Sequence, residues 1–123
     1  MPDGMRLQGS CCFPMDLAAY RSQVRGLRAD RAIPQIPPDP YDVPVSLAKR
    51  LLAYDRGTHL TRAQARTYWQ AMRSSRLKGP CCCCWRWYTF RGLSRYLIAE
   101  RGWRAPAIAK LVDLLEGCGG RRD

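Results

Sequence analysis

From Ser46 to Leu115 the apolar residues recur at three- and four-residue spacings, the period that turns one side of a helix toward a core. Leu47, Leu51 and Tyr54 fall on one face with Leu52 beside them, predicting a helix over about 46–55, capped by Ser46 and stopped by Gly57. Thr61 and Gln64 have the spacing of a capping box and predict a helix over about 62–74, with Ala65, Tyr68, Trp69 and Met72 as its apolar stripe. Phe90, Leu93 and Leu97 predict a helix that begins at the tryptophan cluster and runs to Arg101, where Gly102 ends it. Pro106 suits the first turn of a further helix over about 105–116, with Ile108, Leu111, Val112 and Leu115 facing the core and Gly117 ending it. No stretch alternates with the period of two that marks a half-buried strand. The expected fold is all-α, a small domain of about four helices.

The chain ahead of this block reads differently. Asp16 is placed to cap a helix over about 16–29, with Leu17, Tyr20, Val24 and Leu27 on one side and Arg21, Arg25 and Arg28 on the other. Residues 31–44 hold five of the nine prolines. Proline lacks an amide hydrogen and biases the residue before it toward extended backbone, so this segment reads as a semi-rigid spacer or as a strap laid along the helices. The expected organisation is an N-terminal arm and Pro-rich linker over 1–44, a helical core domain over 45–118, and a tail over 119–123.

Size and composition fit one folded domain. The 123 residues, 46% of them hydrophobic, suffice for a real core. No apolar run approaches the roughly 18 residues of a transmembrane helix. The start, MPDGMRLQGSCCFPMDL, lacks the basic-then-apolar layout of an export signal. The expected location is therefore cytoplasmic, where thiols stay reduced.

Charge changes the picture more. The chain carries a net +11, and residues 45–104 contain 13 Lys and Arg against two acids, Asp55 and Glu100. The remainder has eight of each sign, so one block holds the whole excess. Eighteen of the 21 cations are arginine, which forks onto phosphate and stacks on aromatic rings. Arginine excess over lysine also follows from a GC-rich genome, but the shortage of acids does not. A concentrated basic block is the electrostatic footprint of a polyanion binder. Arg62, Arg66, Arg73, Arg76, Lys78, Arg86, Arg91 and Arg95 are the candidate contacts to a nucleic-acid backbone. The segment WRWYTFRGLSRY interleaves aromatics with three of them, and its rings suit either the core or stacking on bases. A mixed case is expected, with Phe90 and one tryptophan inside and Tyr88 or Tyr96 partly outside.

Inside the basic block lie four consecutive cysteines, Cys81 to Cys84, after the turn residues Gly79-Pro80. Cys81 and Cys84 have the Cys-x-x-Cys spacing that grips a tetrahedral zinc ion on a tight turn. Cys83 offers a third thiolate and Cys118, at the end of the last helix, a fourth; His59 and Cys11 or Cys12 come next. A structural zinc knuckle is the expected role. The alternatives are buried reduced cysteines packing as small apolar residues, an iron–sulfur cluster, redox switching and S-acylation. With one histidine, two glutamates and no phosphate loop or nucleophile motif, the chain offers little for acid–base or nucleophilic catalysis. A non-enzyme is expected.

The stretch YLIAERGWRAPAIAKLVDLL has the outline of a helix–turn–helix, with Gly102 at the turn and Ile108 and Leu111 at apolar positions. Ile98 stands where a small residue is usual and Pro106 falls within the second helix, while Asp113 and Glu116 offset Lys110, so a major-groove reader is disfavoured. The leading expectation is a basic nucleic-acid-binding protein with a structural metal. The alternatives are a regulatory module that docks on an acidic protein through the basic face and Pro-rich segment, and a thiol-based redox or metal sensor.

Overall fold

The periodic segments form five helices in the computed structural model, which describes residues 4–8, 17–75 and 85–115. Helix α1 spans Leu17–Leu27 and tightens into a 3-10 turn, Arg28–Asp30. Helices α2 (Val45–Gly57), α3 (Arg62–Ser74), α4 (Trp85–Arg101) and α5 (Ala105–Leu114) follow. Two three-residue strands were not expected: β1 (Arg6–Gln8) pairs antiparallel with β2 (Asp42–Pro44), Leu7 opposite Val43. Strands this short are below the length at which alternation shows in a sequence. The Arg6 Nε–Asp42 Oδ1 ion pair, 2.6 Å, and the bond from Val45 N–H to the Met5 carbonyl, 2.9 Å, tie β1 to the start of α2. No helix among the described residues is long and apolar enough to cross a membrane.

Helix ends follow local chemistry, with one correction. Thr61 N–H donates to Gln64 Oε1 at 2.9 Å and Gln64 N–H to Thr61 Oγ1 at 3.2 Å, the reciprocal capping box. Gly102 takes φ +66°, where a side chain is disfavoured, and Trp103 N–H turns back to the Leu97 carbonyl at 3.1 Å. Pro106 sits in the first turn of α5. Helix α5 stops two residues short of the expected end, where Leu115 N–H is shared between the Leu111 and Val112 carbonyls. Ser46 does not cap α2; the N-cap is Pro44, whose extended backbone (φ −59°, ψ 138°) starts the helix one residue earlier without a side-chain bond.

Packing pairs α4 chiefly with α2 and α5 chiefly with α3; α3 also touches α4, and α1 closes onto α5. The expected stripes of α4 and α5 (Phe90, Leu93, Leu97; Ile108, Leu111, Val112, Leu115) all lie in one buried cluster. The α2–α4 crossing is the tightest feature: a Cβ on Gly92 would stand 1.8 Å from the Leu51 carbonyl oxygen and 2.9 Å from the Asp55 nitrogen. Only a residue without a side chain permits this approach of two backbones.

Leu27 and Ile36 belong to the same core as the later helices, so the segment before residue 44 is packed against them. Gln23 Nε2 donates to the Leu114 carbonyl at 3.0 Å, and the Tyr41 hydroxyl donates to Gln23 Oε1 at 3.4 Å. The Tyr20 hydroxyl donates to Asp39 Oδ2 at 2.6 Å, while the Tyr20 and Tyr41 rings meet edge to face. That carboxylate bond raises the Tyr20 pKa. Pro37, Pro40, Tyr41 and Val43 are buried, as a strap requires. The inner face of α1 is Ala19, Gln23 and Leu27; of the apolar stripe expected there Leu27 is buried, Tyr20 and Val24 are half-buried, and Leu17 is exposed. The small and polar inner residues let α1 lie close to the strap and the end of α5. Asp16, Cys11, Cys12, Arg76, Lys78, the Gly79–Cys84 knuckle and Cys118 lie outside the described residues.

Replacing Gly92 by alanine is expected to destabilise the protein by about 3 kcal/mol or more, because backbone rather than side chain must move. Gly57→Ala, where nothing lies within 4 Å, is expected to stay within about 0.5 kcal/mol. Urea unfolding followed by circular dichroism measures both, and equal effects would refute the crossing geometry.

Candidate nucleic-acid interface

Helix α3 contains four arginine-or-tryptophan positions at spacings of four, three and four: Arg62, Arg66, Trp69 and Arg73. At about 100° per residue these positions fall within about 60° of one another. Tyr68 and Ala71, the buried residues of α3, lie on the opposite side. The helix holds no acidic residue. Its outer face therefore presents three guanidinium groups and one indole, all exposed. Together with Ala65 and Gln70 they line a shallow open depression. Among the described residues, Arg62 and Arg66 make no ion pair or side-chain hydrogen bond.

Trp69 corrects the expected core stripe. It is 62% exposed, and the core side of α3 uses Tyr68, Ala71 and the capping residue Ser75 instead. Ala71 is fully buried on a helix whose main neighbour is α5, where a methyl group allows close approach. The Ser75 hydroxyl donates to Asp113 Oδ1 at 2.7 Å and joins the ends of the two helices. The periodic signal was present in the sequence, since Trp69 keeps register with the arginines at −7, −3 and +4. Size and hydrophobicity favour burial of a tryptophan, but this register belongs to the outer face.

The Trp69 indole is held from below. Its ring meets Tyr68 edge to face, centroids 5.2 Å apart at 81°. The Arg95 guanidinium lies over the other part of this system, 5.7 Å from the Tyr68 centroid. Burial raises the Tyr68 pKa, against a lowering pull from Arg91 and Arg95, so the ring stays a neutral phenol at physiological pH.

Arg91 and Arg95, although in the basic block, turn inward. Arg91 Nε stands 3.0 Å and Arg95 Nε 4.0 Å from the same oxygen of Asp55, whose side chain is 10% exposed. The approach lies off the hydrogen-bond axis, so the Asp55 Oδ1 contact is ionic rather than directed. Arg95 Nη1 also donates to the Asp55 carbonyl at 3.4 Å. These two side chains fix α4 to α2 beside Gly92. Arg91 still reaches the surface ring of Tyr88, 5.2 Å from its centroid. Phe90 is buried, Tyr88 is exposed, and Tyr96 stacks on Tyr54 at 4.7 Å while its hydroxyl accepts from Arg101 Nε.

Of the eight arginine and lysine candidates, α3 thus gathers Arg62, Arg66 and Arg73 on one face, while Arg91 and Arg95 serve the α2–α4 junction. Arg86 belongs to the first turn of α4. The outer face of α5 offers Pro106, Ala107 and Lys110, one cation in all, which gives the helix–turn–helix outline no basic recognition surface.

The cysteines lie outside the described residues, but the chain segments leading to them start close together. Ser75, six residues before Cys81, is bonded to Asp113, five residues before Cys118. Leu115 shares an apolar pocket with Thr89 and Phe90, one turn into α4, which begins directly after Cys84. No protein-family model matches the chain, and no curated protein or solved structure matches it either.

Proposed function

We propose that this protein binds nucleic acid through its phosphate backbone, using the acid-free outer face of α3, and that it acts as a binding protein rather than an enzyme. The observation that carries the reading is the convergence of Arg62, Arg66 and Arg73 with an exposed tryptophan on one helix face. Arginine forks suit phosphate oxygens, and Arg62 and Arg66, which make no ion pair among the described residues, keep their charge available to a ligand. Arg76, Lys78 and Arg86 continue the basic run toward α4 in the sequence. Pro37 and Pro40 are buried, which leaves Pro34 and Pro38 as the exposed prolines of the Pro-rich segment for the alternative reading of docking on an acidic protein.

A zinc ion held by Cys81, Cys83, Cys84 and Cys118 completes the reading as a structural clamp. The donor set is all thiolate, which suits zinc. Three residues beyond Leu115 reach at most about 10 Å and Cys84 adjoins Trp85, so the clamp requires the end of α5 and the start of α4 to lie within that span. When bound, the metal would tie the α3–α4 connection to the end of α5 and so hold the arginine face against the core.

Affinity for a DNA duplex is expected to fall with salt at a log–log slope of about −5, if the six cations not committed to Asp55 each neutralise a phosphate. Absence of binding to DNA and RNA at low salt would overturn the reading. Purified protein is expected to carry one zinc per chain, lost with part of the helical signal in Cys81→Ser/Cys83→Ser/Cys84→Ser. Full helicity in metal-free protein would remove the clamp from the account.

A further inference from the structure

We propose that Trp69 is a base-stacking platform and that the polyanion is therefore single-stranded nucleic acid, an inference that rests on the phosphate-binding reading above. A tryptophan exposed over 62% of its surface on a helix with its own buried side is not needed for packing. Apolar exposure of this kind commonly marks a contact surface. The neighbours set the class of partner. Arg66 precedes the indole by about one turn and Arg73 follows it by about one turn, so a guanidinium stands on each side along the helix axis. From Arg62 to Arg73 the row extends about 16 Å, long enough to track several nucleotides. An indole flanked by guanidinium groups is the arrangement in which a base lies on the ring while the adjoining phosphates meet the arginines.

Duplex DNA does not satisfy this site fully. Its base faces are covered by the stack, so the indole would meet only groove edges or sugar and the phosphate contacts alone would remain. An unpaired strand offers the free π-face that the ring matches. The indole meets buried Tyr68 edge to face, a contact that limits how far the ring can fold onto the helix surface. This preorganisation lowers the ordering cost of binding. No acid lies on α3 to repel the strand.

The test is fluorescence anisotropy on the full chain with labelled strands of about 12 nucleotides, within the usual span of such sites. DNA and RNA of one sequence, the matching DNA duplex, and a poly-glutamate of equal charge are compared for wild type, Trp69→Ala and Trp69→Phe. Wild type is expected to bind a single strand at least about 10-fold more tightly than duplex or poly-glutamate. Trp69→Ala is expected to weaken single-strand binding by about 10-fold or more, the range of one base stack, and duplex binding by less than about 2-fold. Trp69→Phe is expected to retain most of the affinity. Loss on Trp69→Ala is expected with both DNA and RNA, and the tighter of the two names the source of the strand. Salt-sensitive duplex binding equal to single-strand binding, with Trp69→Ala neutral on both, would overturn the stacking and leave the phosphate reading intact. Binding to poly-glutamate alone, or to nothing, would overturn both. Unchanged far-UV dichroism in Trp69→Ala separates lost stacking from lost fold.

Discussion

The backbone-to-backbone contact between Gly92 and Leu51 governs the arrangement of charge in this protein. Where α4 meets α2 there is no room for a single carbon beyond the Gly92 Cα, and the Asp55 amide lies at the same point. Arg91 and Arg95 stand one residue before and three residues after this glycine. The crossing therefore brings both guanidinium groups to the Asp55 carboxylate. A carboxylate this buried is costly unless cations compensate it, and two arginines do so here. Removing either backbone proximity or the carboxylate would leave charge unpaired in a half-buried junction.

This junction sets two groups of arginine apart within the basic block. One kind is structural: Arg91 and Arg95 hold α2 to α4, and Arg95 extends over Tyr68. The other kind is presented outward on α3, where the absence of acids and the exposed Trp69 leave a cationic and aromatic face. The two kinds meet through Tyr68, which contacts the structural Arg95 on one side and the surface Trp69 on the other. Net charge alone does not distinguish them, since both contribute equally to the +11 of the chain. Of these two sets, the α3 arginines can meet a ligand without breaking the α2–α4 junction.

How far the sequence could be read depended on whether the signal was local. The Thr61–Gln64 box, Gly102 after α4, Pro106 in α5 and the Ile108–Leu115 stripe are set within a few residues, and each has the expected role. The side of α1 that faces the core was legible at Leu27 but not at Gln23, which is buried through bonds with Leu114 and Tyr41, distant in sequence. Trp69 was placed inward because size and hydrophobicity favour burial, whereas the close α3–α5 approach selects Ala71 and Ser75. The Asp55 pairing was illegible for the same reason: Asp55 and Arg95 are brought together by a glycine crossing that periodicity does not encode. Three of the four residues on the α3 face, Arg62, Arg66 and Arg73, were legible from charge; the ring among them was not.

The division between the two arginine sets is the central claim, and crossed double variants test it most directly. Stability from urea unfolding and affinity for a single-stranded oligonucleotide are measured on Arg91→Ala/Arg95→Ala and on Arg62→Ala/Arg66→Ala. The first pair is expected to lose about 2 kcal/mol or more of stability, discounted from a fully buried site because both arginines are partly exposed, while its folded fraction keeps affinity within about 2-fold. The second pair is expected to stay within about 0.5 kcal/mol in stability and to bind about 10-fold or more weakly. The reverse pattern, with affinity lost on Arg91 and Arg95 and stability lost on Arg62 and Arg66, would contradict the account.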